Sequence, residues 1–280
     1  MKTLNVVGCG KVGQTLARVF HASGACTVQD LKGLDLEESR RAAGFIQAGR
    51  PVEALRDMRP ADLWLITVPD TKIAGVAEEM AAAVQPAAGT VAFHCSGFLP
   101  AATLAPLGTL GWALASTHPV LTFADPAAAV AQFSGTPCGL EGDVVALAAL
   151  RPLFEAAGAQ CFSVETASKP LYHAAAVFSS NFTVVLQAIA REAWASAGVP
   201  AALVPQIEAS LMAATMKNIS EFGPKAITGP AARGDHKVVR LQGAEVFRWH
   251  PEAGVLYHDL SRLARRLALQ QTTHALETGN

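Results

Sequence analysis

The apolar positions of this chain follow two regimes. As far as about residue 165, short apolar runs alternate with stretches in which apolar side chains recur every three or four residues. The runs Leu4–Val7, Thr27–Leu31, Leu63–Thr67, Thr90–His94, Trp112–Thr117, Pro137–Leu140 and Cys161–Val164 read as strands. The periodic stretches Gln14–His21, Glu37–Ala48, Ile73–Ala83 and Asp143–Ala157 read as helices, the first with Leu16, Val19 and Phe20 on one face. Strand–helix alternation predicts an α/β fold with a doubly wound, mainly parallel sheet. Beyond Ser168 only helical patterns remain, at about 170–197, 201–221 and 253–276. The last of these carries Leu256, Leu260, Leu263 and Leu267 at helical spacing. Gly198-Val-Pro200 and a Gly- and Pro-rich loop from Gly223 to Asp235 separate them. The expected organisation is therefore a nucleotide-type α/β domain over 1–165 and an all-α domain over 166–280.

Composition narrows the function classes. The 280 residues carry 22 Lys and Arg against 23 Asp and Glu, a net charge of −1, so no basic stripe argues for nucleic acid. Five dispersed cysteines, with no C-x-x-C spacing, fit free thiols in a reducing cytoplasm. The first residues form a strand rather than a signal peptide. Residues 174–190 are apolar, but Ser179, Ser180, Asn181, Thr183 and Gln187 interrupt them. That segment is expected to be a buried or interface helix rather than a membrane span. Its apolar residues are too many for one buried face, which predicts a symmetric homodimer through the helical domain.

Candidate chemistry begins where the first strand runs into Gly8-Cys9-Gly10-Lys11-Val12-Gly13, a G-x-G-x-x-G turn that opens a helix. Gly8 permits the tight turn, Gly10 lets a pyrophosphate approach the backbone, and Gly13 lets helix pack on strand. The helix dipole and free N–H groups then face the phosphates. Dinucleotide binding is the expectation, with Lys32, Val68 and Pro69 also against the cofactor.

Ligands of such sheets bind outside the carboxyl ends of the strands. Three loops lie there: Val68-Pro69-Asp70, His94-Cys95-Ser96-Gly97 and His118-Pro119. Ser96 is expected to bind a reacting oxygen or carboxylate, with His94 and His118 contacting substrate. A metal site from His94, Cys95 and His118 lacks diagnostic spacing, so none is assigned. A second cluster starts at Lys169. At 100° per residue, His173 lies about 40° and Ser180 about 20° from it, with Asn181 about 120° round. Pro170 predicts that Lys169 caps or precedes the helix. Lys169 or His173 is expected to move the proton that accompanies hydride transfer, and Asn181 to orient one of them. In the third cluster, Arg233 between glycines is expected to clamp a substrate carboxylate or phosphate; pairing with Asp235 is the alternative.

Taken together, G-C-G-K-V-G, L-I-T-V-P-D, H-C-S-G, the His118-Pro119 pair, K-P-L-Y-H-A-A-A-V-F-S-S-N and T-G-P-A-A-R-G-D resemble one family, in order, from residue 1 to about 241. That family couples a Rossmann-like domain to a helical domain of unknown function. Its members carry the label NADP oxidoreductase of the deazaflavin-dependent type, transferred by similarity. It is similar to the β-hydroxyacid dehydrogenases and pyrroline-5-carboxylate reductases. The resemblance implies a helical domain of the 6-phosphogluconate dehydrogenase C-terminal type, a substrate bound between the domains, and a dehydrogenase lysine role falling on Lys169. It also implies NADP, although the family's Arg-Ser after the second strand is replaced here by Lys32-Gly-Leu34-Asp35. Asp30 and Asp35 straddle the place where an acidic residue would bind an NAD ribose. Cofactor choice between NADP and NAD is left open, with Lys32 a phosphate contact. The expected function is an NAD(P)-dependent oxidoreductase acting on a small anionic substrate. The alternative is a non-catalytic dinucleotide sensor.

Overall fold

A computed structural model describes residues 1–274, which divide into two compact units, Met1–Asn181 and Phe182 onward. The first unit contains strands β1 (Thr3–Val7), β2 (Thr27–Lys32), β3 (Arg50–Pro51), β4 (Leu63–Ile66), β5 (Val91–His94), β6 (Ala113–Pro119), β7 (Pro137–Gly142) and β8 (Gln160–Ser163). Its helices are α1 (Lys11–Ala22), α2 (Leu36–Ile46), α3 (Asp70–Ala83), α4 (Ala105–Gly108), α5 (Pro126–Gln132), α6 (Val144–Ala156) and α7 (Lys169–Ser179). The strands form one sheet in the order β3-β2-β1-β4-β5-β6-β7-β8, with β6–β7 antiparallel and the other neighbours parallel. Strand order reverses between β1 and β4, the switch point at which such sheets bind ligands.

Burial explains why the alternation was readable. Leu4, Val6, Leu63, Leu65, Val91 and Phe93 point into a core shared with Leu16, Phe20 and Phe154. Val7, Trp64, Ile66 and Ala92 fill a second core on the other side with Ile73, Ala77 and Met80. Sheets covered on both faces need strands that are apolar throughout.

Three of the departures from expectation have a clear physical cause. The two-residue β3 exists because Asp30 and Leu31 pair with Arg50 and Pro51, a tertiary event without a local pattern. Helix α5 was not anticipated; Asp125 caps it, its side chain accepting from the Ala128 N–H, and Pro126 starts it. Lys169 neither caps nor precedes α7 but is its first residue, at φ −53° and ψ −43°, with Ser168 as the cap; a short 3₁₀ turn over Thr166–Ser168 feeds it in ahead of Pro170.

The second unit contains α8 (Asn181–Ser196, its first residue in the first unit), α9 (Val204–Phe222), α10 (Pro230–Arg233), α11 (His236–Trp249) and α12 (Pro251–Gln270). Helix α11 was not anticipated. The long helix expected at 253–276 ends at Gln270, and its positions 275 and 276 lie outside the described residues. Within the unit, α11 packs along α12, where a Cβ on Gly254 would come 2.5 Å from Phe247 Cα. Trp249 donates to Ser196 Oγ at 2.9 Å, and Arg191 pairs with Glu208. Helix α8 has no buried residue, and α9 has one, Val204. By length and composition, Thr166–Ser196 is apolar enough to cross a membrane, and none of its most apolar window is buried.

Candidate active site

The glycine turn is built from three different constraints. Gly8 sits at φ +98°, and a Cβ there would lie 2.7 Å from the Thr67 and Val68 backbone. A Cβ on Gly13 would lie 2.1 Å from Gly8 O, because α1 packs directly on the end of β1. Thr67 Oγ1 donates to Gly8 O at 2.6 Å and closes the turn against β4. Gly10 differs: a Cβ there would meet nothing within 4 Å, and as N-cap of α1 it has no side chain to occupy the helix's free N–H groups. The turn is thus open to a ligand where a pyrophosphate would approach. Lys11 is exposed beside it, Val12 half-buried, and Cys9 buried, with burial pushing its thiol up to about 12. Pro69 is the N-cap of α3, and Val68 is half-buried before it.

The ribose end is also arranged by tertiary contacts. Asp30, expected to straddle the NAD ribose position, is fully buried and paired with Arg50 at 2.9 Å and Arg59 at 2.7 Å. Burial alone would raise its carboxyl, but hydrogen bonds from the two guanidiniums and the Arg59 N–H outweigh that and hold it at about 2. Asp35 accepts from the Glu38 N–H at 2.7 Å as the cap of α2. Lys32 Nζ donates to the carbonyl of Gly33. Both candidate ribose carboxylates are therefore engaged in structure.

Beyond β4, β5 and β6 lies a cavity of about 220 Å³, lined among others by Val12, Asp70, Ser96, Gly97, His118 and His173. Gly97 is the hinge of this arrangement. A Cβ there would come 2.6 Å from His173 Nδ1 and 2.9 Å from the His118 ring, so only glycine lets the loop after β5 pass beside two imidazoles. The rings of His118 and His173 stand edge to face, 5.4 Å apart. His118 Nδ1 is 2.8 Å from the Tyr172 hydroxyl. Burial pushes that phenol up to about 12, so it stays protonated; as donor to Nδ1 it places the imidazole proton on Nε2. Gly139 makes room for the phenol, since a Cβ there would lie 2.8 Å from Tyr172 Oη. Burial, followed by the charges of His173 and Lys169, brings His118 down to about 4. His173 Nδ1 is buried without a hydrogen-bond partner.

The structure redistributes the other expected roles. Ser96 Oγ donates to Asp70 Oδ2 at 2.6 Å and accepts from the Phe98 and Leu99 N–H groups. A hydroxyl has one donor and two acceptor sites, so none remains for a substrate oxygen. His94 is fully buried, Nε2 against Pro100 O and Nδ1 accepting from the Ser96 N–H, which leaves no nitrogen for substrate. Lys169 is 2% exposed and does not line the cavity. Its Nζ donates to Ser96 O at 3.2 Å and Ser116 Oγ at 2.8 Å, behind the cavity wall, and burial lowers its pKa. Asn181 is exposed at the start of α8 and outside the cavity lining. Arg233, in the second unit, is exposed and pairs with Asp235 at 3.2 Å, which is the bracing alternative rather than a clamp. Among the described residues, no lysine or arginine lines the cavity. Among the described residues no group of three His, Cys, Asp or Glu is placed to hold a metal.

Sequence reasoning missed Asp70 and Tyr172 as site residues. Asp70 stands in the L-I-T-V-P-D run at a strand's carboxyl end, which was the available signal. Tyr172 carried none beyond its place between Lys169 and His173.

Comparisons with known proteins agree with this architecture. The Rossmann-like domain model matches residues 2–119, and a domain of unknown function, DUF2520, matches residues 136–264. No curated protein matches the chain. Among solved structures, protein TM1727 from Thermotoga maritima is 26% identical with a TM-score of 0.74, covering 96% of this chain and 99% of that one. A Bacteroides fragilis protein, provisionally described as an NADP oxidoreductase, is 20% identical with a TM-score of 0.75, covering 95% and 98%. Pyrroline-5-carboxylate reductase from Streptococcus pyogenes is 15% identical with a TM-score of 0.62, covering 94% and 98%. None of these descriptions names a deazaflavin, so that label rests on the resemblance alone. The chain thus carries a Rossmann-like domain followed by a domain of the DUF2520 family.

Proposed function

We propose that the protein is an NAD(P)-dependent oxidoreductase acting on a small molecule. The observation that carries this reading is the contrast within one turn. Side-chain space is closed at Gly8 and Gly13 and open at Gly10, on the free N-terminus of a helix at the sheet's switch point. The names of the Bacteroides fragilis and Streptococcus pyogenes proteins support the same chemistry.

Gly8 to Gly13, Val68 and Pro69 would hold the dinucleotide. Sequestration of Asp30 by Arg50 and Arg59, and of Asp35 in a helix cap, favours NADP over NAD, with Lys32 beside the 2′-phosphate. When bound, the cofactor supplies or takes a hydride. This chain's residues do the rest. His118, neutral and set in one tautomer by Tyr172, presents its Nε2–H as a hydrogen-bond donor to the reacting atom, and His173 stands beside it. Lys169 acts as a positioning residue by tying the loop after β5 to β6 through Ser96 O and Ser116 Oγ. The second unit serves dimerisation: Val184, Val185 and Leu186 are exposed on successive sides of α8, and a helix apolar all round is normally buried. Five free cysteines support a cytoplasmic setting.

Calorimetric titration with NADPH tests the reading. Wild type is expected to bind, and Gly10→Val to fold normally yet lose binding. Gly13→Val is expected to lose the fold as well, because its Cβ would overlap Gly8 O. A folded wild type that binds neither NADPH nor NADH, or a Gly10→Val variant of unchanged affinity, overturns it.

A further inference from the structure

The cavity beside His118 has a one-sided charge balance. Among the described residues, Asp70 is the one carboxylate in its lining, and no lysine or arginine joins it. Ser96 holds Asp70 Oδ2, while Oδ1 has no hydrogen-bond partner among the described residues, and the side chain is exposed. Lys169, the cation behind the wall, directs Nζ at Ser96 O and Ser116 Oγ rather than at the carboxylate. The Tyr172 hydroxyl supports a neutral His118 from the far side. A carboxylate substrate would meet like charge here; a substrate bearing positive charge would meet its counterion.

We propose that this cavity takes the positively charged nitrogen of a small amine or protonated imine, held on Asp70. At about 220 Å³ it lies below the roughly 300–1,000 Å³ of pockets for drug-sized ligands, so it holds a head group of a few heavy atoms. The chemistry, though not the binding, rests on the oxidoreductase reading. A protonated imine accepts at carbon the hydride that NADPH supplies, with both electrons of its bond. The C=N π pair becomes the nitrogen lone pair, and the cofactor leaves as NADP⁺. No acid is needed for that step, because the imine brings its own proton, and the neutral amine formed then takes a proton from water. In reverse, the ammonium gives its proton to water before hydride leaves carbon. A carbonyl substrate would instead need an acid at the forming alkoxide, which a neutral imidazole supplies poorly.

The test uses two shape-related probes that do not turn over with NADPH: pyrrolidine, a cation at pH 7, and cyclopentanecarboxylate, an anion. Each is titrated by calorimetry and by NMR of the imidazole nitrogens, into the free protein and into the NADPH complex. Pyrrolidine is expected to bind in at least one form and shift the His118 signals. Asp70→Asn, which keeps a partner for Ser96, should weaken it at least tenfold while NADPH affinity stays unchanged. Cyclopentanecarboxylate should shift neither histidine. The proposal is overturned if pyrrolidine binds neither form, if the carboxylate binds more tightly, or if Asp70→Asn leaves pyrrolidine affinity intact. It is equally overturned if that variant weakens NADPH instead, which would assign the carboxylate to the cofactor. Failure of NADPH to bind, with pyrrolidine still bound through Asp70, would sink the oxidoreductase reading and leave this site standing.

Discussion

The two units of the chain solve the burial problem differently. In the first, apolar side chains fill a core on each face of the sheet, and buried polar groups such as Asn5, Asp30, His94 and Lys169 have hydrogen-bond partners. In the second, Val204 and Ala253 are the buried apolar side chains among the described residues, while Leu211, Met216, Ile219, Phe222, Leu241 and Phe247 stay exposed. A unit with so little buried apolar surface has little to offset its chain entropy. The contrast teaches that the sheet unit buries its apolar surface within itself, whereas the helical unit leaves apolar surface exposed, the surface on which the proposed dimer rests.

Charge placed in each unit gives the largest expected effect. Phe93→Asp puts a carboxylate in a fully buried position and should cost more than about 4 kcal/mol, read as loss of cooperative melting. The paired change Ile219→Asp with Phe222→Asp should leave the melting of the sheet unit in place and convert a dimer to a monomer by light scattering. A wild type of single-chain mass across micromolar concentrations would break the comparison.

An intermediate effect comes from pH. His118 titrates near 4 in the folded chain against 6.5 unperturbed, so the unfolded chain binds its proton first as pH falls. Stability from this group is full above 6.5 and is lost as pH drops through that window, by up to roughly 3 kcal/mol. The melting temperature of wild type should therefore fall more steeply between pH 7 and pH 4.5 than that of His118→Gln. Equal slopes would mean that the histidine is not neutral when folded.

The smallest effect tests the second unit's surface. Arg233→Ala should change stability by within about 0.5 kcal/mol and leave NADPH affinity unchanged, since Arg233 is exposed and pairs locally with Asp235. A large loss of affinity would restore the clamp role expected from its sequence setting.

Legibility followed the range of the interactions involved. The glycine turn and the core strands could be read because local sterics and two-face burial leave a local pattern. Helix α11 could not: Gly243 and its many charged residues blur the period, and α12 supplies the packing. The sequence also brought Ser96, His94 and His118 forward on neighbouring loops and His173 in a separate cluster with Lys169, but could not decide which of them face a ligand. That depends on which polar atoms are already satisfied.

By itself the sequence determined the alternation of strand and helix, the switch-point turn and the break in pattern after Ser168, since periodicity and glycine sterics act over a few residues. Only the tertiary structure decided that Ser96 and His94 are saturated, that Lys169 lies behind the wall and that Asp30 is lost to Arg50 and Arg59. It alone also placed Asp70 in one cavity with two imidazoles, because hydrogen-bond saturation and burial depend on which distant residues the fold brings together.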